Sequence, residues 1–312
     1  MIDPSRPPLV VVVGPTAAGK TSLAIELARR VDGELVGADA YQVYRGMDIG
    51  TSKPTAAELD GIAHHLVDVA DPDEHFDAHR YTELADAAVA GVAGRARAAI
   101  VVGGTGLYAR ALVRGLAAMP GADPELRRAL SARADAEGVE ALHRELAASD
   151  PAYAATIGSR DLVRITRALE VLELTGLPIS ELHDRHRRRP DRYDSLWLGL
   201  DPGAAALRVR IERRTAAMFE AGFVAEVRRL LDRGYSPELP PMRALGYRAA
   251  CRHVAGEISL DDAAQETVRD TARYSRRQRN WFRSEARIHW VEALDHQVIA
   301  RVRSHLDARR QS

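Results

Sequence analysis

The run Gly14-Pro15-Thr16-Ala17-Ala18-Gly19-Lys20-Thr21 fits the pattern glycine, four residues, glycine, lysine, threonine without a gap. Residues of these types at this spacing build a polyphosphate cradle. Glycines let backbone N–H groups close around phosphate oxygens, and a following helix adds the positive end of its dipole. Lys20 neutralises the distal phosphate, and Thr21 offers its hydroxyl to Mg²⁺. By average composition such a string arises in roughly one chain in a hundred of this length. The loop specifies a polyphosphate without saying which. Two runs end in an acid that could serve beside it: Leu-Val-Gly-Ala-Asp39 and Leu-Trp-Leu-Gly-Leu-Asp201. Position alone leaves Asp39 three roles: metal partner, helix cap, or proton acceptor. The guanine-reading pattern Asn-Lys-x-Asp is absent, which argues against a GTPase.

These groups need elements to hold them. Residues 9–13 are a continuous β-branched run suited to a buried parallel strand. The phosphate loop interrupts it, and 21–31 reads as a helix. Further strands are expected at 34–38, 65–69, 99–102 and 195–200, and a last one at 287–291. Helices are expected at 80–98, 107–116, 203–233 and 246–284. Strands alternating with helices predict a parallel sheet flanked by helices, with Asp39 on the same carboxyl edge as the phosphate loop. From 123 to 175 only helical patterning is visible, with Asp123-Pro124 and Asp150-Pro151 as starts. The arginine run 185–189, closed by Pro190, reads as a connection. The expectation is an α/β core of 1–120 and 191–312 interrupted by an all-helical domain of 121–190.

Of the 312 residues, 46% are hydrophobic and 28% charged, which is ordinary for a globular chain. Cys251 is the one cysteine, so neither an intramolecular disulfide nor a cysteine-based zinc site is available. No apolar run reaches membrane-spanning length, and the run 9–13 is too short for a signal peptide. A cytoplasmic protein, monomeric and without a membrane partner, is expected. The net charge is zero, but residues 1–104 carry 9 basic and 15 acidic side chains, and the remainder 35 and 29. Lys20 and Lys53 are the two lysines among the 44 basic residues. Arg269, Arg273, Arg276, Arg283 and Arg287 recur at spacings that place them along one helical face, interleaved with Tyr274, Trp281 and Phe282. Such a stripe either tracks RNA phosphates or is a solvated face above packed aromatics. The pair His64-His65 invites a metal reading, which adjacent side chains pointing apart on a strand disfavour.

Several strings carry a resemblance. Besides the phosphate loop they are Ala-Asp-Ala-Tyr-Gln-Val-Tyr-Arg-Gly-Met-Asp-Ile-Gly-Thr-Ser-Lys-Pro at 38–54 and Val-Val-Gly-Gly-Thr-Gly-Leu-Tyr at 101–108. Later ones are Asp-Leu-Val-Arg-Ile-Thr-Arg-Ala-Leu-Glu at 161–170, Arg-Ile-Glu-Arg-Arg at 210–214, Arg-Ala-Leu-Gly-Tyr-Arg at 243–248 and Arg-Arg-Gln-Arg-Asn-Trp-Phe-Arg at 276–283. In this order, over nearly the whole chain, they resemble the bacterial tRNA dimethylallyltransferases, also called tRNA isopentenyltransferases. The resemblance implies a P-loop NTPase-like, kinase-like fold with a helical insertion. It implies transfer of a dimethylallyl group from dimethylallyl diphosphate to the exocyclic N6 amine of an adenine. That adenine lies 3′ to the anticodon, in tRNAs reading codons that begin with U. The whole loop Gly14, Pro15, Thr16, Ala17, Ala18, Gly19, Lys20 and Thr21 would then hold the diphosphate with Arg214, and Thr21 would face Mg²⁺. Asp39, as general base, and Thr105 are the implied catalytic residues. The implied contacts to the tRNA anticodon stem-loop are Asp39, Ala40, Tyr41, Gln42, Thr105, Arg127, Val163, Arg164, Ile165, Thr166, Arg167, Met242, Arg243, Ala244, Leu245, Gly246 and Tyr247. Arg273, Arg276 and Arg283 are added from the basic stripe. The family usually has Asp-Ser-Met-Gln where this chain has Asp39-Ala40-Tyr41-Gln42, so a hydroxyl is missing at Ala40.

The chemistry needs such groups. An allylic diphosphate ionises readily, and the obstacle is charge building on the departing diphosphate, which Mg²⁺, Lys20, Arg214 and N–H groups would stabilise. The exocyclic amine is a poor nucleophile, and a carboxylate bonded to it removes the proton as the new bond forms. The adenine must leave its stack to be reached. Three rivals stand beside this reading. They are a small-molecule kinase using ATP at the same loop, prenylation of a free adenylate, and a nonenzymatic RNA-binding module.

Overall fold

The computed structural model describes residues 6–308. Six strands, β1 (Leu9–Val13), β2 (Gly33–Gly37), β3 (His64–His65), β4 (Ala98–Gly103), β5 (Ser195–Gly199) and β6 (Ile288–Trp290), form one sheet. Their order is β3-β2-β4-β1-β5-β6, and every pairing is parallel. β1 is buried on both faces, as its unbroken Leu-Val-Val-Val-Val run requires. The two-residue period sorts its side chains: Leu9, Val11 and Val13 join a cluster with Tyr81, Tyr108 and Phe282, while Val10 and Val12 join Leu27, Ile100 and Leu198 on the other face. Because β4 lies between β1 and β2, the segments leaving all three strands emerge side by side at one carboxyl edge.

A third cluster explains the long polar connection after β2. Val43, Tyr44 and Met47 pack with Met218, Phe223, Val227, Met242 and Tyr247. That connection is therefore tied to the helices Ala204–Glu220, Phe223–Asp232 and Tyr247–Val254. The single helical runs expected at 203–233 and 246–284 are each two helices. Gly222, at φ 95°, and Gly256, at φ 78°, turn the chain where they divide. The third strand is two residues, shorter than expected, because Leu66 and Asp68 take φ of 63° and 57° and end the extended backbone.

One compact unit contains the chain up to Gly115 together with the chain from Asp191 onward, and the second contains Leu116–Pro190. The first boundary lies at Gly115 rather than 120. In the second unit the helices Pro124–Glu137, Pro151–Ala154 and Leu162–Thr175 start on the side chains of Asp123, Asp150 and Asp161, each accepting backbone N–H groups. They enclose Leu130, Leu142, Leu146, Ile165 and Leu169. The run 185–189, expected as a connection, is instead largely the last turn of the helix Ile179–Arg187. Arginine is a good helix former and suits a C-terminal turn.

Candidate active site

The phosphate loop leaves β1 at Gly14, whose φ is +149° and where a Cβ would sit 2.4 Å from the Leu200 carbonyl oxygen. Lys20 opens the helix Lys20–Val31, and its Nζ donates to the Pro15 carbonyl at 2.8 Å. Burial lowers the Lys20 pKa to about 8, with Asp39 opposing and Arg214 adding to the drop. The Thr16 N–H donates to Gln278 Oε1 at 2.8 Å, and Gln278 Nε2 donates to the Gly104 carbonyl at 2.8 Å. Arg214 donates to Thr16 Oγ1 at 3.0 Å, and Arg210 to the Ala18 carbonyl at 3.1 Å. Gln278 thus bridges the loops after β1 and β4. It was not singled out in the sequence; its signal is a neutral amide inside the arginine run 276–279.

Asp201, the other acid at a strand end, is taken up by arginines. Its carboxylate accepts from Arg279 Nε at 2.8 Å, from Arg283 Nη2 at 2.9 Å and from the Gly203 N–H at 3.1 Å. Burial pushes its pKa up, but these donors, Arg279 foremost, bring it below the usual carboxylate range.

Asp39 lies beside the phosphate loop. A Cβ on Gly103 would sit 2.0 Å from the Ala38 carbonyl oxygen, so only glycine lets the ends of β4 and β2 approach this closely. That approach lets the Thr105 N–H donate to Ala38 at 3.1 Å and the Ala40 N–H donate to Thr105 Oγ1 at 3.0 Å. Ala40 therefore meets Thr105 through its backbone. Asp39 Oδ1 accepts from the Tyr41 N–H at 3.0 Å and, more weakly, from Gln42 at 3.4 Å. Among the described residues no group donates to Oδ2. One oxygen fixes the turn, and the other is left for a ligand. Burial, and then Asp39, raises the Tyr41 pKa, so its phenol stays protonated.

The connection carrying Asp39 is held by two charged centres. Lys53 Nζ donates to the Tyr44 carbonyl at 2.6 Å, to Asp48 at 2.7 Å and to Asp68 at 2.5 Å. Three acceptors converging on one buried ammonium explain a lysine in an arginine-rich chain, since a planar guanidinium is not a compact point charge. Glu226, 2% exposed, accepts from the N–H groups of Asp48, Ile49 and Gly50 at 3.0, 2.7 and 3.2 Å and from the Tyr247 hydroxyl at 2.6 Å. Burial and Glu226 hold the Tyr247 phenol protonated. Glu226→Ala is expected to destabilise the protein by about 3 kcal/mol or more, because three N–H groups and a buried hydroxyl lose their acceptor. The midpoint of urea unfolding checks this, and an unchanged midpoint would show that solvent replaces the carboxylate.

These parts surround one cavity of about 1030 Å³, counted with its open mouth. Thr16, Lys20, Thr21, Asp39, Tyr41, Gln42, Arg214 and Tyr274 line it, and Ile211, Met218, Ala244, Leu245 and Tyr247 give it an apolar wall. A second hollow of about 1300 Å³ shares Lys20, Thr21, Ser52 and Arg214 with it. The phosphate loop is therefore reached from two sides. Met242 is fully buried behind the wall, and Arg243 reaches Glu238 at 3.8 Å.

In the second unit Arg127 donates to Glu170 at 2.7 and 2.9 Å and Arg167 at 2.5 Å. Burial works to raise the Glu170 pKa, but Arg127, then Arg167 and the Asp123 N–H, hold it down to about 2. Val163 is 80% exposed and Arg164 is exposed beside Asp161, whereas Ile165 lies in the core and its side chain does not reach the surface. In the basic stripe Arg273 pairs with Asp270 and Arg283 with Asp201, while Arg287 is held by Glu285 and Asp191. Arg276 is exposed and has no charged partner among the described residues. His65 Nε2 meets Glu34 at 2.6 Å, whereas His64 lines the cavity, so the pair points apart.

A parallel sheet with this loop at its carboxyl edge and a carboxylate at the end of β2, across β4 from it, defines a P-loop NTPase-like protein. The family model described as IPP transferase matches residues 42–285, and the chain belongs to that family. The tRNA dimethylallyltransferase of Anaeromyxobacter dehalogenans (strain 2CP-C) is 49% identical over 294 residues, covering 94% of this chain and 98% of the relative. That of Geobacter metallireducens is 48% identical over 292 residues, 94% of each. The crystal structure of the full-length tRNA isopentenylpyrophosphate transferase of Bacillus halodurans superposes with a TM-score of 0.72 at 35% identity, covering 98% of this chain and 99% of that one. A eukaryotic dimethylallyltransferase acting on tRNA shares the fold, with a TM-score of 0.79 at 24% identity over 96% of this chain and 77% of its own.

Proposed function

We propose that this protein transfers the dimethylallyl group of dimethylallyl diphosphate to the N6 amine of the adenine 3′ to the anticodon in tRNAs reading codons that begin with U. N6-(dimethylallyl)adenosine and diphosphate are the products. The observation that carries this reading is Asp39, with one carboxylate oxygen anchored and the other unclaimed, in the cavity that also holds Lys20, Thr21 and Arg214. The diphosphate binds the loop, with Lys20 and Arg214 countering the charge that builds as the C–O bond breaks. Asp39 accepts the amine proton as the C–N bond forms, and Thr105 orders that turn through Ala40. Mg²⁺ would be held by the Thr21 hydroxyl beside the diphosphate and would supply further charge stabilisation there. The sparse protein ligation suits Mg²⁺, which keeps several waters. Among the described residues no three His, Cys, Asp or Glu side chains form a metal cluster. Among the described residues no helix is long and apolar enough to cross a membrane. Action as a monomer in the cytoplasm completes the proposal.

The test is direct. The protein is incubated with dimethylallyl diphosphate and unmodified tRNA, and the digested nucleosides are weighed. Product with no nucleotide consumed supports the transfer. ADP accumulating in step with product restores the kinase, and modification of free adenylate in preference to tRNA displaces the RNA substrate.

The arginine face gives a second expectation. Arg276→Ala should weaken tRNA binding and lower the slope of log affinity against log salt by up to about one unit. Arg283→Ala should add little to that change, because its guanidinium is already held by Asp201. Filter binding from low to high salt checks both. An unaltered slope in Arg276→Ala would make this face merely solvated.

A further inference from the structure

We propose that His64 is a binding residue for the donor, its imidazole hydrogen-bonding a non-bridging oxygen of the diphosphate. The inference deepens the proposed function and rests on it. Both ring nitrogens of His64 are buried, and neither has a hydrogen-bond partner. Buried polar side-chain atoms are almost always paired, so two orphans on one ring call for an explanation. The side chain lines the cavity, and a ligand there would supply the missing partner. The neighbouring His65 is satisfied by Glu34 instead.

The register indicates which part of the ligand His64 meets. His64 pairs with Leu35 across β2 and β3, so the two share a face of the sheet. Leu35 packs with Leu23, Ala24 and Leu27 of the helix that begins at Lys20. His64 Nε2 lies 3.4 Å from where a Cβ on Gly37 would stand, so the ring reaches up β2 toward the carboxyl edge. It thus comes to the cavity from the side of the phosphate-loop helix, where Lys20, Thr21 and Ser52 also line the wall. Burial, and then His65, lowers the His64 pKa to about 4. In the free protein the ring is therefore neutral and presents one donor and one acceptor. It adds direction rather than charge, which Lys20 and Arg214 already supply.

The experiment uses the full chain. With tRNA saturating, His64→Ala should raise the KM for dimethylallyl diphosphate about tenfold while leaving kcat within a few-fold and the KM for tRNA unchanged. His64→Gln, which keeps a donor, should recover part of the loss. Because the alanine variant could misfold, the wild-type protein is also titrated with inorganic diphosphate and Mg²⁺, and its histidine ring nitrogens are followed by NMR. The His64 resonances, assigned by their absence in His64→Gln, should shift as diphosphate saturates. Loop amides that shift while the His64 ring stays still would overturn the proposal and leave water as the ring's partner. A change confined to the KM for tRNA would overturn it in favour of the acceptor. If diphosphate fails to bind at all, the donor reading of the whole site falls with it.

Discussion

Asp39→Ala is expected to lower the single-turnover rate by roughly 10²-fold or more, with both substrates still bound. The reason lies in the division of labour between its oxygens. Oδ1 accepts from Tyr41 at 3.0 Å and fixes the turn, while Oδ2 receives nothing from the described residues. Alanine removes both functions, so a loss of about 1 kcal/mol of stability should accompany the kinetic defect. Asp39→Asn separates them. Its amide oxygen can still accept from Tyr41, but it cannot take a proton from the adenine amine. The asparagine variant should therefore keep near wild-type stability and share the slow chemistry. Rapid-quench rates at saturating dimethylallyl diphosphate and tRNA, beside thermal melts, read both. If Asp39 were chiefly a metal partner, donor binding would weaken and excess Mg²⁺ would restore it. A fast asparagine variant would remove Asp39 as the base.

The local chemistry of this site was visible in the sequence where residue type alone fixes the role. The phosphate loop, the strand before it and the parallel sheet follow from Gly14 to Thr21 and from an unbroken β-branched run. Asp39 was placed correctly at the edge, but its role was open, because the same carboxylate suits a cap, a metal or a base. In the structure one oxygen fixes a turn, and residues 40–46 form turns and a bridge rather than a helix for Asp39 to cap. What sequence could not show are side chains whose partners lie far along the chain. Gln278 reaches Thr16, Glu226 reaches the N–H groups of 48–50, and Asp201 binds Arg279 and Arg283. Each is a long-range pairing with no local period. The same limit explains the arginine stripe. Its spacing gave one helical face, but spacing does not reveal that Arg283 and Arg287 are held by carboxylates brought there by other segments. Lys53 is the reverse case: its rarity marked it, and the three oxygens around it supply the physical reason.

Lys20→Ala is expected to slow the chemical step by about 10²–10³-fold, the size of effect seen when one preorganised donor to a developing anion is removed. Lys20→Arg should not rescue it, because the site is buried and already holds the Arg214 guanidinium against Thr16. The wild-type protein carries a signature of this lysine that can be read without turnover. In the free protein Lys20 has a pKa lowered to about 8, from an ordinary 10.5, chiefly by burial. A bound diphosphate favours the ammonium and raises that value again. Below pH 8 the free site is already charged, and binding takes up no proton through Lys20. Above pH 8 the free site is neutral, so each binding event must bring in a proton, and affinity should fall by up to about tenfold per pH unit. The folding linkage has the matching sign. The folded state binds Lys20's proton more weakly than the unfolded chain does, so the lysine's cost to stability is full below pH 8 and fades as pH rises toward 10.5. Calorimetry of inorganic diphosphate binding in two buffers of different ionisation enthalpy measures the uptake directly. At pH 9 the wild-type protein should take up close to one proton more than Lys20→Ala, and at pH 7 the two should agree. Equal uptake at both pH values would mean that Lys20 does not meet the diphosphate, and the charge opposing the leaving group would then rest on Arg214 alone.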